Sequence, residues 1–247
     1  MTSSNQMATA APAQAKPQRR WRKRLSRAGL VLLALAVAAH FAWVYSGSNR
    51  WEPSRDQDGV QVWTLKTPGS GLVLVKAHAR VKSSLSGMVK LLEDLSSCAE
   101  AYCYDGSVIE RLPTTPDRYA AYVQFKFDMP LLKTRQYVLL QEHWQDPVSK
   151  RLELNIIAAP NRIPRDECCV RIAHLSNHWT ITPQPGGWLD IEFTQDTDVG
   201  GLPYPLVNPA LIESTYQILH GMQGLMNMEK YRNARVPGIR ELDTPKT

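Results

Sequence analysis

From Arg118 onward the apolar residues fall at every second position. In RYAAYVQFKFD, Tyr119, Ala121, Val123, Phe125 and Phe127 share one face, the alternation of a half-buried strand. RQYVLLQEHWQ, RLELNIIAAP, CVRIAHLSNHWTITP and GWLDIEFTQDT continue this period, and the turn residues between them favour antiparallel pairing. Upstream, VQVWTL and GLVLVKAHARVK predict two earlier strands around the turn TPGSG. Two stretches have helical spacing instead. SLSGMVKLLEDL repeats Leu85, Met88, Val89, Leu92 and Leu95, with Ser83 or Ser84 as N-cap. Near the C-terminus, Leu211, Ile212, Thr215, Ile218, Leu219, Met222, Leu225 and Met226 form the stripe of a long helix. Asn208 is its expected N-cap and Pro209 its first residue. The order is strands, helix, antiparallel meander, long helix. It predicts an α+β domain in which a curved sheet wraps one helix, with room for a cavity between them.

Before the first strand the pattern changes. Ala28 to Tyr45 is an 18-residue run without formal charge, ending on Trp43 and Tyr45, which suits a transmembrane anchor with an interfacial aromatic belt. The alternative is a cleaved secretory signal, for which Ala36-Val37-Ala38 supplies an A-x-A site. Residues 1–27 carry Lys16, Arg19, Arg20, Arg22, Lys23, Arg24 and Arg27 and no acid, which reads as a disordered basic tail. The positive-inside rule then leaves this tail in the cytoplasm and the rest outside. The net charge of +6 comes from the tail: setting apart its 7 of the 29 basic residues leaves 22 against 23 acids. The body therefore has no electrostatic footprint for nucleic acid. Residues 46–58 read as a polar linker, 46–232 as one domain, and 233–247 as a flexible tail.

The chemistry-bearing residues are sparse. The chain has no nucleophile elbow, P-loop, dinucleotide fingerprint or zinc helix motif. His174 and His178 lie about 13 Å apart on a strand, too far to share a metal. Asp190, Glu192, Asp196 and Asp198 alternate as a solvated sheet face. Cys98, Cys103, Cys168 and Cys169 lack zinc spacing. They read as small buried residues, with a disulfide possible outside the cytoplasm, and the adjacent pair points to opposite faces of a strand. No catalytic set assembles and no cofactor is called for, which favours binding over catalysis.

An ordered set of short motifs resembles the StAR-related lipid-transfer (START) domain. It comprises GVQVW, TRQYV, VRIAH (170–174), W-x-I-x-P from Trp179 to Pro183, D-x-G-G-L-P from Asp198 to Pro203, Asn208, and the long helix. The resemblance covers about residues 50–230. It implies the helix-grip (START/Bet v 1-like) fold, a curved antiparallel sheet around a hydrophobic tunnel closed by the C-terminal helix. It also implies a single lipid as ligand, no cofactor, and, with the anchor, a bacterial inner-membrane protein whose domain lies in the periplasm. A soluble periplasmic form after signal cleavage is the alternative.

The resemblance also suggests site residues. Steroid-binding members resemble one another in a buried acid–arginine pair. The arginine position here is Gln141 and the acid position falls near Tyr122, so that pair is missing. Tyr122, Tyr137, Leu139, Gln141, His143, His174 and His178 are the expected pocket residues, with His174 matching a pocket histidine that follows V-R in that subgroup. Leu211, Ile212, Thr215, Leu219 and Met222 would belong to the lid helix, with Gly200-Gly201 as a bend at its entry and Gly221 and Gly224 softening its stripe. Met129, Leu131 and Leu132, apolar in a turn, would form a mouth loop that touches membrane. The rival readings are a polyketide cyclase or aromatase using His143, His174 or Tyr122 as acid–base groups, and an anchored interaction module without ligand.

Overall fold

Alternating strands bury one side each, and here they join edge to edge into one ten-stranded sheet with a common inner face. The computed structural model describes residues 18–96, 103–115, 118–129 and 132–242. These fall into two units, one ending at Tyr45 and one beginning at Ser46. The first is a single helix, α1 (Gln18–Tyr45). It begins within the basic segment rather than at Ala28. Its stretch Arg24–Tyr45 is long and apolar enough to cross a membrane by length and composition.

The second unit opens with β1 (Trp51–Gln57), β2 (Val60–Leu65) and β3 (Leu74–Lys82), followed by α2 (Leu85–Glu93). Then come β4 (Cys103–Arg111), β5 (Arg118–Phe127), β6 (Arg135–Gln145), β7 (Leu152–Ala158) and β8 (Val170–Arg171). The chain continues through β9 (His174–Gln184), β10 (Trp188–Asp198), α3 (Tyr204–Met226) and α4 (Glu229–Arg232). The strand order is β1-β2-β3-β10-β9-β7-β6-β5-β4. All these neighbours are antiparallel, and the two-residue β8 pairs parallel to β6. The sheet is open, with β1 and β4 at its edges. The segment read as a polar linker is in fact β1, paired with β2 from Trp51 opposite Leu65 to Gln57 opposite Val60. An edge strand with both faces largely wet needs no apolar alternation, so its sequence looks like a linker.

Register sets the inner face. One cross-strand row runs Val62, Ala77, Phe193, Trp179, Leu154, His143 and Tyr119. The next row runs Thr64, Val75, Gln195, Asn177, Ile156, Gln141 and Ala121. Helix α3 lies against β2 and β3. Its Leu211, Leu219, Met222 and Met226 share one buried cluster with Phe193, Trp179, Leu154 and the apolar side of α2. A second, smaller cluster forms on β5 and β6 around Ala121, Val123 and Leu139.

Three local expectations change. Helix α3 starts at Tyr204, behind Pro203 as N-cap, so Asn208 lies inside it. The freed Asn208 side chain reaches the β2–β3 turn, donating Nδ2–H to the Gly71 carbonyl (3.1 Å) and accepting from Val73 N–H (3.2 Å). Residues 234–242 also make fixed contacts instead of trailing away. Val236 and Ile239 pack against the main core. The Glu241 carboxylate accepts from the first N–H groups of α2, Leu85 (2.8 Å) and Ser86 (2.9 Å). Lastly, Gly221 and Gly224 are on the exposed side of α3, not in its apolar stripe, and Ile218 is exposed with them. A Cβ at either glycine meets nothing within 4 Å. Replacing both with Ala should therefore stabilise the domain by about 1–2 kcal/mol in total. A thermal melt checks this, and a lowered midpoint would mean that α3 needs its glycines for something other than packing.

Candidate functional site

The inner face near the middle of the sheet is apolar with polar interruptions. Gln141 is buried, and its Nε2 donates to the Leu92 carbonyl (3.0 Å) at the C-terminal end of α2. Two residues along β6, His143 Nε2 lies 2.7 Å from Glu93 Oε1. The carboxylate can only accept, so this nitrogen carries the hydrogen. Tyr119 stacks on the imidazole at 5.0 Å between ring centroids. Burial first, and then the Glu93 charge, push the Tyr119 hydroxyl above its ordinary value, so it stays protonated. On β10, Gln195 Oε1 accepts from the hydroxyl of Thr215 (2.9 Å), which is fully buried on the inner side of α3. Asn177 and Thr197 also point inward, within 3.5 Å of each other. Two buried nitrogens in this layer have no partner: His143 Nδ1 and Trp179 Nε1.

The layer is unevenly covered. Beneath α3, Leu211, Thr215, Leu219 and Met222 are buried and Ile212 is half-buried, so these helix residues face the sheet. The apolar ones pack with Phe193, Trp179 and Leu154 of the sheet in one buried cluster. Away from α3, Tyr119, Phe125, Tyr137, Ile156 and Ala158 are half-buried on the same face. Tyr137 stacks on Phe125 at 4.8 Å, and burial pushes its hydroxyl pKa up. Leu139 is buried between them and Gln141. Arg135 begins the strand on the same parity. Its Nε donates to the Val199 carbonyl (3.1 Å), which pins the chain where it turns toward α3. Gly200 and Gly201 make that turn at φ of 83° and 73°, and a Cβ on Gly200 would stand 2.7 Å from Val170.

Of the expected pocket residues, Tyr137, Leu139, Gln141 and His143 meet on the inner face. Tyr122, His174 and His178 do not. Tyr122 alternates with Ala121 and Val123 and lies on the outer face, under the Arg162 guanidinium at 4.5 Å. His174 is exposed and pairs with Asp196 (3.0 Å). His178 is exposed beside Glu153 (3.1 Å) and Asn155 (2.6 Å). The physical reason is parity. Trp179 and Ile181 point inward, so residues at even positions of β9 point outward, and this was readable from the alternation. The same rule would have found Asn177, Trp179, Gln195 and Thr197. The three groups that acid–base chemistry was expected to use are thus split between two faces of the sheet.

The turn between β5 and β6 holds a half-buried Met129 and a Leu132 that is 48% exposed; Leu131 lies outside the described residues. Cys168 and Cys169 are in a turn before β8 rather than on a strand, and they are joined to each other by a disulfide. Cys103 is also disulfide-bonded, and Cys98 lies outside the described residues. Asp166 sits beside the bonded pair, whose sulfurs have no thiolate to offer a metal.

No family model matches the chain. An uncharacterised protein of Pseudomonas aeruginosa is 22% identical over 199 residues, 79% of this chain and 96% of its own length. Among solved structures, a STAR-related lipid transfer protein of Xanthomonas axonopodis superposes with a TM-score of 0.62 at 20% identity, over 72% of this chain and 99% of that one. The lipid transfer and protein localization domain of human StarD13 gives 0.63 at 16% identity, over 79% and 95%. Human StAR-related lipid transfer protein 5 gives 0.58 at 16%, over 81% and 97%. The chain therefore has the fold of StAR-related lipid transfer domains: the helix-grip sheet with a long C-terminal helix.

Proposed function

We propose that this chain holds or transfers one lipid molecule between the inner face of its sheet and α3. The observation that carries this reading is the set of buried polar side chains in an otherwise apolar layer, two of them with unpartnered nitrogens. A core built for packing alone has no use for unpaired polar atoms, whereas a ligand with an apolar body and a polar end would pair them. The fold shared with proteins named for lipid transfer agrees. Because the side chains of α3 pack into one buried cluster with those of the sheet, entry requires α3 to loosen, and the glycine pair before it is where the chain can bend. We further propose that α1 anchors the domain to a bacterial inner membrane, with its N-terminus cytoplasmic. Asn49 N–H donates to the Lys66 carbonyl (3.2 Å), and Asn208 ties α3 to the same β2–β3 turn. The first turns of α3, with Leu206 68% exposed, thus lie at the same end of the domain as Asn49.

The test is mass spectrometry of lipids carried by the chain from Ser46 onward after purification from membranes. About one lipid per protein is expected. A domain that carries none, and takes none up from vesicles, would refute the proposal. For topology, a reporter active only in the cytoplasm should be silent when fused after Thr247.

A further inference from the structure

The two unpartnered nitrogens differ in what they require. Trp179 Nε1 can only donate. In the neutral imidazole, with Nε2–H committed to Glu93, Nδ1 is a bare acceptor. His143 and Trp179 are 7% and 4% exposed, so bulk water does not satisfy them. The other buried polar side chains of this layer have partners: Gln141 on Leu92, Gln195 on Thr215, Thr197 near the half-buried Asn177. Both orphans stand in one register row, His143–Leu154–Trp179, with Leu154 between them. Two strand spacings put their backbones about 10 Å apart. A single polar atom does not span that, but two polar atoms a few ångströms apart on one ligand do.

We propose that the ligand's polar end is uncharged and offers a hydroxyl hydrogen to His143 Nδ1 and a neighbouring acyl carbonyl to Trp179 Nε1. The chemical class is a neutral acyl lipid with a free hydroxyl. This rests on the lipid-binding reading above and narrows it. A phosphate head fits poorly: it has no hydrogen for Nδ1, and it would meet the Glu93 carboxylate beside His143. Arg135 shares the inner parity but stands eight residues along β6, with its guanidinium on the carbonyls of Val199 and Lys133.

The experiment reconstitutes the full chain into phosphatidylcholine vesicles. These carry traces of either a photoactivatable diacylglycerol or a photoactivatable phosphatidylcholine, and label is read on peptides from residues 46–242. The diacylglycerol should label at least about tenfold more strongly. Trp179→Phe and His143→Phe should each reduce that labelling about tenfold, the scale of one lost buried hydrogen bond. His143→Asn places an amide oxygen near the Nδ1 position and should keep more label than His143→Phe, although both lose the Glu93 contact. A purely structural role for His143 predicts equal losses in the two variants and overturns the assignment. Equal labelling by both lipids, unmoved by the substitutions, also overturns it while the lipid-binding reading stands. Labelling by neither lipid overturns that reading as well.

Discussion

Replacing Arg171 with Ala should lower the unfolding free energy by about 3–5 kcal/mol. The side chain is 8% exposed and its fork is fully used. Nε and Nη2 donate to Gln136 Oε1 (3.2 and 3.0 Å), Nη2 also to the Pro164 carbonyl (2.7 Å), and Nη1 to those of Ile163 (3.2 Å) and Pro160. One guanidinium thereby organises the excursion between β7 and β8 and holds it on the start of β6, where Gln136 is buried. Alanine strands Gln136 Oε1 and three carbonyls. Bonds to a charged donor contribute about 1.5–3 kcal/mol each, and water can replace those at the more exposed Pro164. Lysine keeps the charge without the planar fork and should recover less than half of the loss. Urea denaturation of the domain measures both. A loss below about 1 kcal/mol for alanine would mean that the loop is held by its neighbours.

The motif V-R-I-A-H is therefore legible in two different ways. Its arginine has a structural task that the sequence alone does not disclose, because the carbonyls it gathers belong to a loop without regular pattern. The resemblance implies that its histidine is in the pocket, whereas the alternation along β9 turns it to the outer face with His178.

The inner-face residues Tyr137, Leu139, Gln141 and His143 were readable for the same reason, since they alternate within a strand. The two strands that pattern missed, β1 and β4, are the edges of the sheet. They are exposed on most positions, so selection for apolar alternation does not act on them. The start of α3 was misread because Asn208-Pro209 is a good capping pair in isolation. Tertiary contact with Gly71 and Val73 outweighs that local preference. Nothing local marks Glu93 as the partner of His143, because 50 residues separate them and only the fold brings them together.

Ending the chain after Asn233 should cost about 4–6 kcal/mol, a large part of the marginal stability of a domain of this size. The segment lost looks dispensable by composition. Val236 and Ile239 pack on the main core, and their apolar burial contributes about 1 kcal/mol each. Glu241 puts a carboxylate on the positive end of α2, where Ser84 Oγ already accepts from Gly87 N–H (3.0 Å). A charged cap there is worth about 1–2 kcal/mol. Gln145 is buried and exchanges both its amide groups with the Arg240 backbone (2.8 and 2.9 Å), so truncation leaves it partly unpaired for about 1–2 kcal/mol more. Glu241→Gln keeps an acceptor and should cost about 1 kcal/mol alone. The effect should also reach the site, because the far end of α2 supplies the Leu92 carbonyl and the Glu93 carboxylate to Gln141 and His143. Hydrogen exchange in α2 should rise in Glu241→Gln while the protection of β9 and β10 stays near that of the parent chain. A truncated chain with an unchanged melting midpoint would show that residues 234–242 merely rest on the surface. Unchanged exchange in α2 for Glu241→Gln would show that Ser84 alone secures the helix that positions His143.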